Sequence, residues 1–502
     1  MGDAFVRALM ALENSQALPL EEPNGEANCP IGRIRIGIFF DGTGNNMWTD
    51  WKREKELNGR PLPPGEAGNG ASSVVKLYQK YGPRQMPVLE KAYHHGVGAD
   101  YDDDGNEIAV DTSLDPDAKP AHPDRHGNTL KGVPFGAGGK ARIEWGLRML
   151  AEFYSYKNND KAKEKYYDVF GFSRGAALAR DFANQVRTQR IANLKEEVSS
   201  SYFSLSYYGS VDSTAMTKTA KKKNYQPFDP NTITPKFMGI FDTVAMWGWG
   251  TGSFLHDVDH TYVEYCVHFV AEDEFRKLFP LSSIFMDPNT QDEWFSGYQE
   301  PRDYKRWMTE FFYPGCHSDI GGSYLNRSDI EPRKLLGFEY KSGKKGKQGD
   351  LRFIPLYDMY RAMKRAKVPI QSIPKPTGKC VELYEKYCAY RQSKDWANHV
   401  EQGQSQYIHW YENQDFLDRF YGPTGIRSLW VSDDYRDANA DYLALRETYI
   451  HDSASEMTGS WLFGEKASEG ERLRLQRKVI PAAAQPKYQR RQPVRPHGLP
   501  KR

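Results

Sequence analysis

Residues 166–186 constrain the fold more tightly than any other stretch. Tyr166-Tyr167-Asp168-Val169-Phe170 is a β-branched and aromatic run that reads as a buried strand. Gly171-Phe172-Ser173-Arg174-Gly175 follows without slack, and Ala176 to Val186 then reads as a helix with no internal breaker. The pentapeptide fits the G-x-S-x-G nucleophile elbow, in which small flanking residues permit a strained turn that lifts a serine hydroxyl clear of the strand ends. Glycine and serine co-occur by chance, so the motif alone is weak. The strand before it and the helix after it are the context that the motif requires. The helix start also brings backbone N–H groups and a positive dipole end beside the serine, which suits a developing oxyanion. The plainer alternative is a glycine-rich turn with an N-capping serine.

Further elements alternate in the same way. Ile34 to Phe40 reads as a strand that stops at Asp41-Gly42-Thr43-Gly44-Asn45-Asn46. Ile143, Leu147, Leu150, Ala151 and Tyr154 fall at helical spacing within Ala141 to Tyr156. A strand from Lys236 to Phe241 ends at Asp242, a helix is expected over about Tyr262 to Phe279, and Glu310 to Tyr313 leads to Gly315-Cys316-His317. Leu356, Met359, Tyr360 and Met363 mark a packing helix within Pro355 to Lys367. Alternating β and α segments imply an α/β fold of α/β-hydrolase type, with a mostly parallel central sheet, helices on both faces and long insertions. The expected organisation is an N-terminal extension over 1–30 and a single catalytic domain over 31–465. Within that domain an insertion or lid covers about 47–135, where Gly, Pro and Asp abound and the one helical stretch lies near Ser72 to Tyr81. Helical additions cover about 350–460. Residues 466–502, rich in Arg, Lys, Pro and Gln, read as a flexible basic tail.

Composition excludes several classes. An aromatic content of 13% with 39% hydrophobic residues is too high for a mainly disordered chain. Lys and Arg number 68 against 66 Asp and Glu, a net charge of +2, which gives no global case for nucleic acid as a partner. No stretch approaches the ~20 apolar residues of a membrane span, and the early run from Phe5 to Leu12 is short and interrupted by Arg7. We therefore expect neither a signal peptide nor a transmembrane segment. Position six is Val6, which argues against N-myristoylation. Five cysteines point to synthesis in a reducing compartment rather than to a disulfide framework.

A serine at its free pKa needs a base oriented by a carboxylate, and in this fold the order along the chain is serine, acid, histidine. Asp242 and His317 close later strands in that order. Among 12 histidines His317 has the best context; His256, His260 and His268 compete, the last reading as a core histidine. Asp168, Asp181 and Asp319 are weaker choices for the acid, and Asp319 is also a supporting residue. Backbone N–H groups of Arg174 and of the Gly42 and Thr43 loop are the candidate oxyanion hole, with Asp41 orienting that loop or binding an ion. Trp247 and Trp249 suit either a membrane interface or core packing. Lys221 to Lys223 and the lysines of 341–345 suit headgroups or plain solvation. Asp100, Asp102, Asp104 and Asp111 fall at calcium-loop positions, but no helix flanks them, so a solvated acidic turn is the first reading and calcium the second.

Five motifs in order carry a family resemblance: Phe40 to Asn45, Gly171 to Ala176, Phe241-Asp242-Thr243-Val244, Ala271-Glu272-Asp273-Glu274-Phe275-Arg276, and Pro314 to Gly322. Ile450-His451-Asp452-Ser453 adds a sixth near residue 460. Together they resemble the bacterial α/β-hydrolase domain of type VI secretion phospholipase effectors, the first Tle lipase group. The resemblance implies a Ser173, Asp242 and His317 triad that cleaves acyl esters of membrane phospholipids without a required cofactor. It implies synthesis in a bacterial cytoplasm and export into a rival cell's periplasm. It also implies delivery by a spike protein and neutralisation by an immunity protein. The rival expectations are the same triad acting on another ester, and a non-catalytic binding or delivery module that keeps the fold.

Overall fold

The computed structural model describes residues 32–63, 69–82, 89–99, 139–155, 159–187, 233–245, 262–274, 276, 279–284, 307–327, 333–335, 338–340, 347–391, 408–410, 427–429, 439–451 and 477–480. The strands of the central sheet are β1 (Arg33–Phe40), β2 (Leu89–His94), β3 (Glu164–Phe172), β4 (Ile233–Phe241), β5 (Tyr265–Ala271) and β7 (Trp307–Tyr313). They lie in the order β2-β1-β3-β4-β5-β7, and every neighbouring pair is parallel. A two-residue strand, β6 (Leu281–Ser282), joins a separate four-stranded sheet with segments 408–410, 427–429 and 477–480.

The helices are α1 (Met47–Leu57), α2 (Ser73–Lys80), α3 (Gly139–Ser155), α4 (Arg174–Arg187), α5 (His317–Gly321), α6 (Phe353–Arg365), α7 (Lys379–Arg391) and α8 (Ala440–Thr448). Two apolar cores form, one on each face of the sheet. Successive strand residues alternate between them: Ile38, Phe40, Val169 and Ile240 pack with α3 and α4, while Phe39, Phe170 and Phe241 pack with α2, α6, α7 and α8. A parallel sheet covered on both faces needs this double-sided apolar character.

Two expectations change. The segment expected as a helix from Tyr262 to Phe279 is instead strand β5 with loops at each end. A short apolar run buried on both faces has no alternation, so Tyr-Cys-Val-His-Phe-Val-Ala cannot be told from a buried helix by period; its β-branched and aromatic content favours the strand. The stretch read as an insertion from residue 47 carries more regular structure than its composition suggests. It contains α1, α2 and β2, and β2 is an integral edge of the central sheet. The candidate calcium carboxylates, the Trp247 and Trp249 run, both lysine-rich loops and the residues of 1–30 lie outside the described residues. Of the basic tail, only segment 477–480 is described. Cys266, Cys316, Cys380 and Cys388 are free thiols.

Deep in the sheet Arg35 on β1 makes two hydrogen bonds to Asp168 on β3, at 2.6 and 2.7 Å, and the Tyr81 hydroxyl donates to the same carboxylate at 2.7 Å. Removing only the cation leaves a buried carboxylate uncompensated. We expect Arg35→Met to lower the unfolding free energy by about 3–5 kcal/mol, measured by urea denaturation.

Candidate active site

Strand order reverses between β1 and β3, the switch point at which open α/β sheets hold their ligands beyond the carboxyl ends of the strands. Asp41 to Asn45 leaves β1 there, and Ser173 leaves β3. The elbow is built by close main-chain approach. A Cβ on Gly175 would lie 2.3 Å from the carbonyl oxygens of Phe40 and Asp41, and one on Gly171 would lie 2.3 Å from the carbonyl oxygen of Gly175. Neither position has room for a side chain. Between them Ser173 adopts φ 58°, in the left-handed region that a serine rarely occupies. Its N–H donates to the Phe241 carbonyl at 3.0 Å, and its carbonyl accepts from Ala176 N–H at 3.1 Å and Ala177 N–H at 3.3 Å, starting α4.

Asp242 ends β4 in a second strained turn at φ 40°. Its backbone N–H donates to the Phe269 carbonyl at 2.6 Å, and its Oδ1 accepts from Ala271 N–H at 2.9 Å. Oδ2 lies 2.6 Å from His317 Nδ1. A carboxylate only accepts, so Nδ1 carries the proton and Nε2 presents its lone pair. The His317 ring packs at 4.6 Å on Phe172, the residue before Ser173, and at 5.0 Å edge-on to Phe279. Burial pushes the imidazole pKa below its ordinary 6.5, outweighing the hydrogen bond and charge of Asp242 that raise it.

Ser173, Asp242 and His317 thus lie at the carboxyl ends of β3, β4 and β7. Phe172 binds these ends together, because glycines at 42 and 321 leave room for its ring; a Cβ on either would come within 2.2 Å of it. In the β1 loop, Gly42 N–H is already engaged by Asp41 Oδ1 at 2.7 Å, and the N–H groups of Gly44 and Asn45 donate to Val97 and Gly42 carbonyls at 3.0 and 2.9 Å. Thr43 N–H enters none of these bonds. Its hydroxyl accepts from Arg174 Nε at 2.6 Å, which joins the two halves of the candidate oxyanion hole. Asp41 also accepts from Ser72 Oγ at 2.7 Å and Tyr93 Oη at 2.6 Å. Three hydrogen-bond donors thus reach this carboxylate, although burial still raises its pKa to about 6.

The remaining candidates fall elsewhere. Asp168 pairs with Arg35, and Asp181 accepts from Gln185 at 2.9 Å. His256 and His260 lie outside the described residues. His268 is a satisfied core histidine, on β5. Thr243 N–H donates to its Nε2 at 3.0 Å, which leaves the proton on Nδ1, 2.8 Å from Glu310. Asp319 is bound by His451, Nδ1 to Oδ1 at 2.7 Å. Among the described residues no cluster of His, Cys, Asp or Glu is arranged to hold a metal.

Sequence reasoning missed the supports. Glu274 accepts from His317 N–H at 3.3 Å and holds Arg276 through two bonds of 2.8 Å, while Arg276 stacks 3.4 Å from the centre of the Phe279 ring. Asp273 accepts from Gly315 N–H at 2.7 Å and Tyr442 Oη at 2.6 Å. Both acids belong to the Ala271 to Arg276 motif, whose acidic content next to a strand end was the available signal.

The fold defines an α/β protein with a mostly parallel central sheet, and the turn at Ser173 has the geometry of a nucleophile elbow. The chain belongs to the family described as type VI secretion system phospholipase effector, Tle1-like, catalytic domain, whose profile matches residues 35–361, more than half of the chain. Two solved structures are similar at low identity. An uncharacterized protein from Pseudomonas aeruginosa is 19% identical with a TM-score of 0.41, covering 78% of this chain and 53% of its own. This chain therefore spans about half the length of that protein. A Tle1 effector bound to the VgrG spike of the type VI secretion system is 15% identical with a TM-score of 0.42, covering 80% of this chain and 91% of its own. No curated protein matches. The family assignment rests on the profile.

Left-handed backbone at a serine costs about 1–3 kcal/mol. Ser173→Gly is therefore expected to keep or raise the urea midpoint of unfolding. Ala176→Gly, in the helix that follows, is expected to lower stability by about 1 kcal/mol.

Proposed function

We propose that the chain is a serine carboxylic-ester hydrolase that releases fatty acid from membrane phospholipids, a phospholipase of A1 or A2 type. The observation that carries this reading is the 2.6 Å bond between Asp242 and His317, formed beside an elbow that holds Ser173 at φ 58°. In the proposed reaction His317 Nε2 takes the proton of the Ser173 hydroxyl as Oγ attacks the ester carbonyl carbon. The negative charge on the carbonyl oxygen is met by backbone N–H groups of Arg174 and Thr43. His317 then returns the proton to the glycerol oxygen as its bond to the acyl carbon breaks. Water, deprotonated by the same imidazole, attacks the acyl carbon of the acyl-enzyme, and the imidazolium returns the proton to Ser173 Oγ as its bond to that carbon breaks and the fatty acid leaves. Asp242 holds the ring in the Nδ1–H tautomer and stabilises the imidazolium formed on the way. The reaction as written requires no cofactor.

Family membership supports the wider setting: an antibacterial effector loaded in the producing cell's cytoplasm, carried by a spike protein into a target periplasm and neutralised there by an immunity protein. The proposed encounter with phospholipid is peripheral; among the described residues no helix is long and apolar enough to cross a membrane.

Ser173→Ala is expected to lower fatty-acid release from diacylphospholipid vesicles by at least about 10³-fold with an unchanged circular dichroism spectrum. Full activity in that variant would sink the assignment, and preference for short-chain soluble esters over vesicles would favour a non-phospholipid substrate. The pH dependence carries a sign. His317 must be neutral to accept the proton, and burial holds its pKa below 6.5. The acid limb of kcat/KM should therefore lie below pH 6.5, with activity lost as pH falls through it.

A further inference from the structure

The loop that carries His317 is tied down from a part of the chain well past the end of the family profile at residue 361. Asp319, two residues after His317 on the same short helix α5, is fully buried and accepts four hydrogen bonds. Two come from its own turn, from Cys316 N–H at 3.1 Å and Cys316 Sγ at 3.2 Å. The other two come from His451, from its backbone N–H at 3.0 Å and from Nδ1 at 2.7 Å. His451 is 1% exposed, and its ring lies 4.4 Å from that of Tyr324, which follows α5. Its Nε2 is buried with no hydrogen-bond partner among the described residues. A second tie runs beside the first. Tyr442 on α8 donates to Asp273 Oδ1, Asp273 Oδ2 accepts from Gly315 N–H at 2.7 Å, and Asp273 N–H donates to the Gly315 carbonyl at 2.9 Å. Both ends of the segment Gly315 to Asp319 are thereby fixed by carboxylates that residues 439–451 orient.

Burying a polar imidazole is costly unless its nitrogens are engaged, so simple packing gives poor reason for a histidine at 451. Two donors on one carboxylate, in a fixed geometry, give a good one. We propose that His451 is a positioning residue: through Asp319 it holds α5 so that the His317 ring stays between Phe172 and Phe279 and on Asp242. This rests on the triad reading given above. Asp319 therefore has a defined partner and task, and segment 439–451 is part of the working site.

The test uses the full chain with His451→Ala, His451→Asn and Tyr442→Phe. Fatty-acid release from phosphatidylethanolamine and phosphatidylglycerol vesicles is measured together with the downfield proton resonance of the His317 to Asp242 hydrogen bond. A displacement of the base by about 1 Å costs on the order of 10²-fold. His451→Ala is expected to lower kcat by about 10- to 100-fold with KM within about twofold, and to broaden or erase the downfield resonance. His451→Asn keeps a side-chain donor near the Nδ1 position and is expected to recover most of kcat and the resonance. Tyr442→Phe should lower kcat severalfold. Wild-type kcat in His451→Ala, or an equal loss in the Ala and Asn variants, overturns the proposal. If His451→Ala does not fold, the other two decide. Near-wild-type activity in His451→Asn with reduced kcat in Tyr442→Phe supports the proposal, and the reverse overturns it. Labelling of wild-type Ser173 by a fluorophosphonate separates the two readings. Without labelling the esterase assignment itself fails; with labelling and unaffected His451 variants only the positioning role does.

Discussion

Contact between main chains at Gly175 is the constraint on which the site depends. The first turn of α4 presses against the carbonyls of Phe40 and Asp41 at a distance that no side chain on Gly175 could share. That contact sets the elbow after β3 directly against the loop after β1, across the point where strand order reverses. Without it Ser173 has no reason to occupy φ 58°, and Arg174 cannot reach the Thr43 hydroxyl. Strain at Ser173 persists because its neighbours over-determine it. Its N–H is bonded to β4 and its carbonyl to the first helical turn, so relaxing φ breaks both.

A common device then holds the remaining loops. The carboxyl ends of parallel strands leave backbone N–H groups that no further strand can satisfy, and here the loops are buried as well. Buried carboxylates answer them. Asp41 accepts from Gly42 N–H, Asp242 from Ala271 N–H, Asp273 from Gly315 N–H, Glu310 from Ile284 N–H, and Asp319 from both Cys316 and His451 N–H. All five acids use their second oxygen or second lone pair for a side chain: Tyr93, His317, Tyr442, His268 and His451 in turn. Each acid thus links one loop's backbone to another element's side chain. Bonds to an ionised acceptor are the stronger kind, which suits a region lacking sheet hydrogen bonds.

The same pattern explains what could be read from residues alone. β3 and α4 announce themselves because a strand, a glycine turn and a helix follow one another, and β1 and β4 because a β-branched and aromatic run stops at an aspartate. β5 does not: His268 and its neighbours are buried on both faces, so neither period is visible, and only the partners on β4 and β7 make it a strand. β2 was hidden for a related reason. Leu89 to His94 has a Glu and a Lys in succession that interrupt its apolar run, with the half-buried Lys91 bonded to the Tyr78 and Tyr81 carbonyls, and it is a strand because β1 offers it a parallel partner. At the site, Ser173, Asp242 and His317 stand at motif positions with chemistry of their own. Phe172, Phe279, Glu274 and His451 reach the His317 segment through contacts made over long sequence separations, which spacing does not encode. Gly42 shows the limit within a motif: its glycine character was legible, but its N–H is spent on Asp41, which only the turn geometry reveals.

The environment of His317 reflects two opposed demands. Rings of Phe172 and Phe279 flank the imidazole and exclude water, which disfavours its charged form; Asp242 at 2.6 Å favours it. Burial prevails, and the resting ring is held neutral. In the proposed reaction that balance is useful in a specific order. A neutral Nε2 is available to take the serine proton at ordinary pH, and the imidazolium that results is then stabilised by a carboxylate already in place, with no solvent to reorganise. A base kept neutral by exposure to water would lack the second half of this arrangement. One kept charged by stronger acids would lack the first. Glu274 fits the same logic: it lies close enough to bind His317 N–H, yet Arg276 takes both of its oxygens and offsets its charge, so it fixes the backbone without pulling a proton onto the ring.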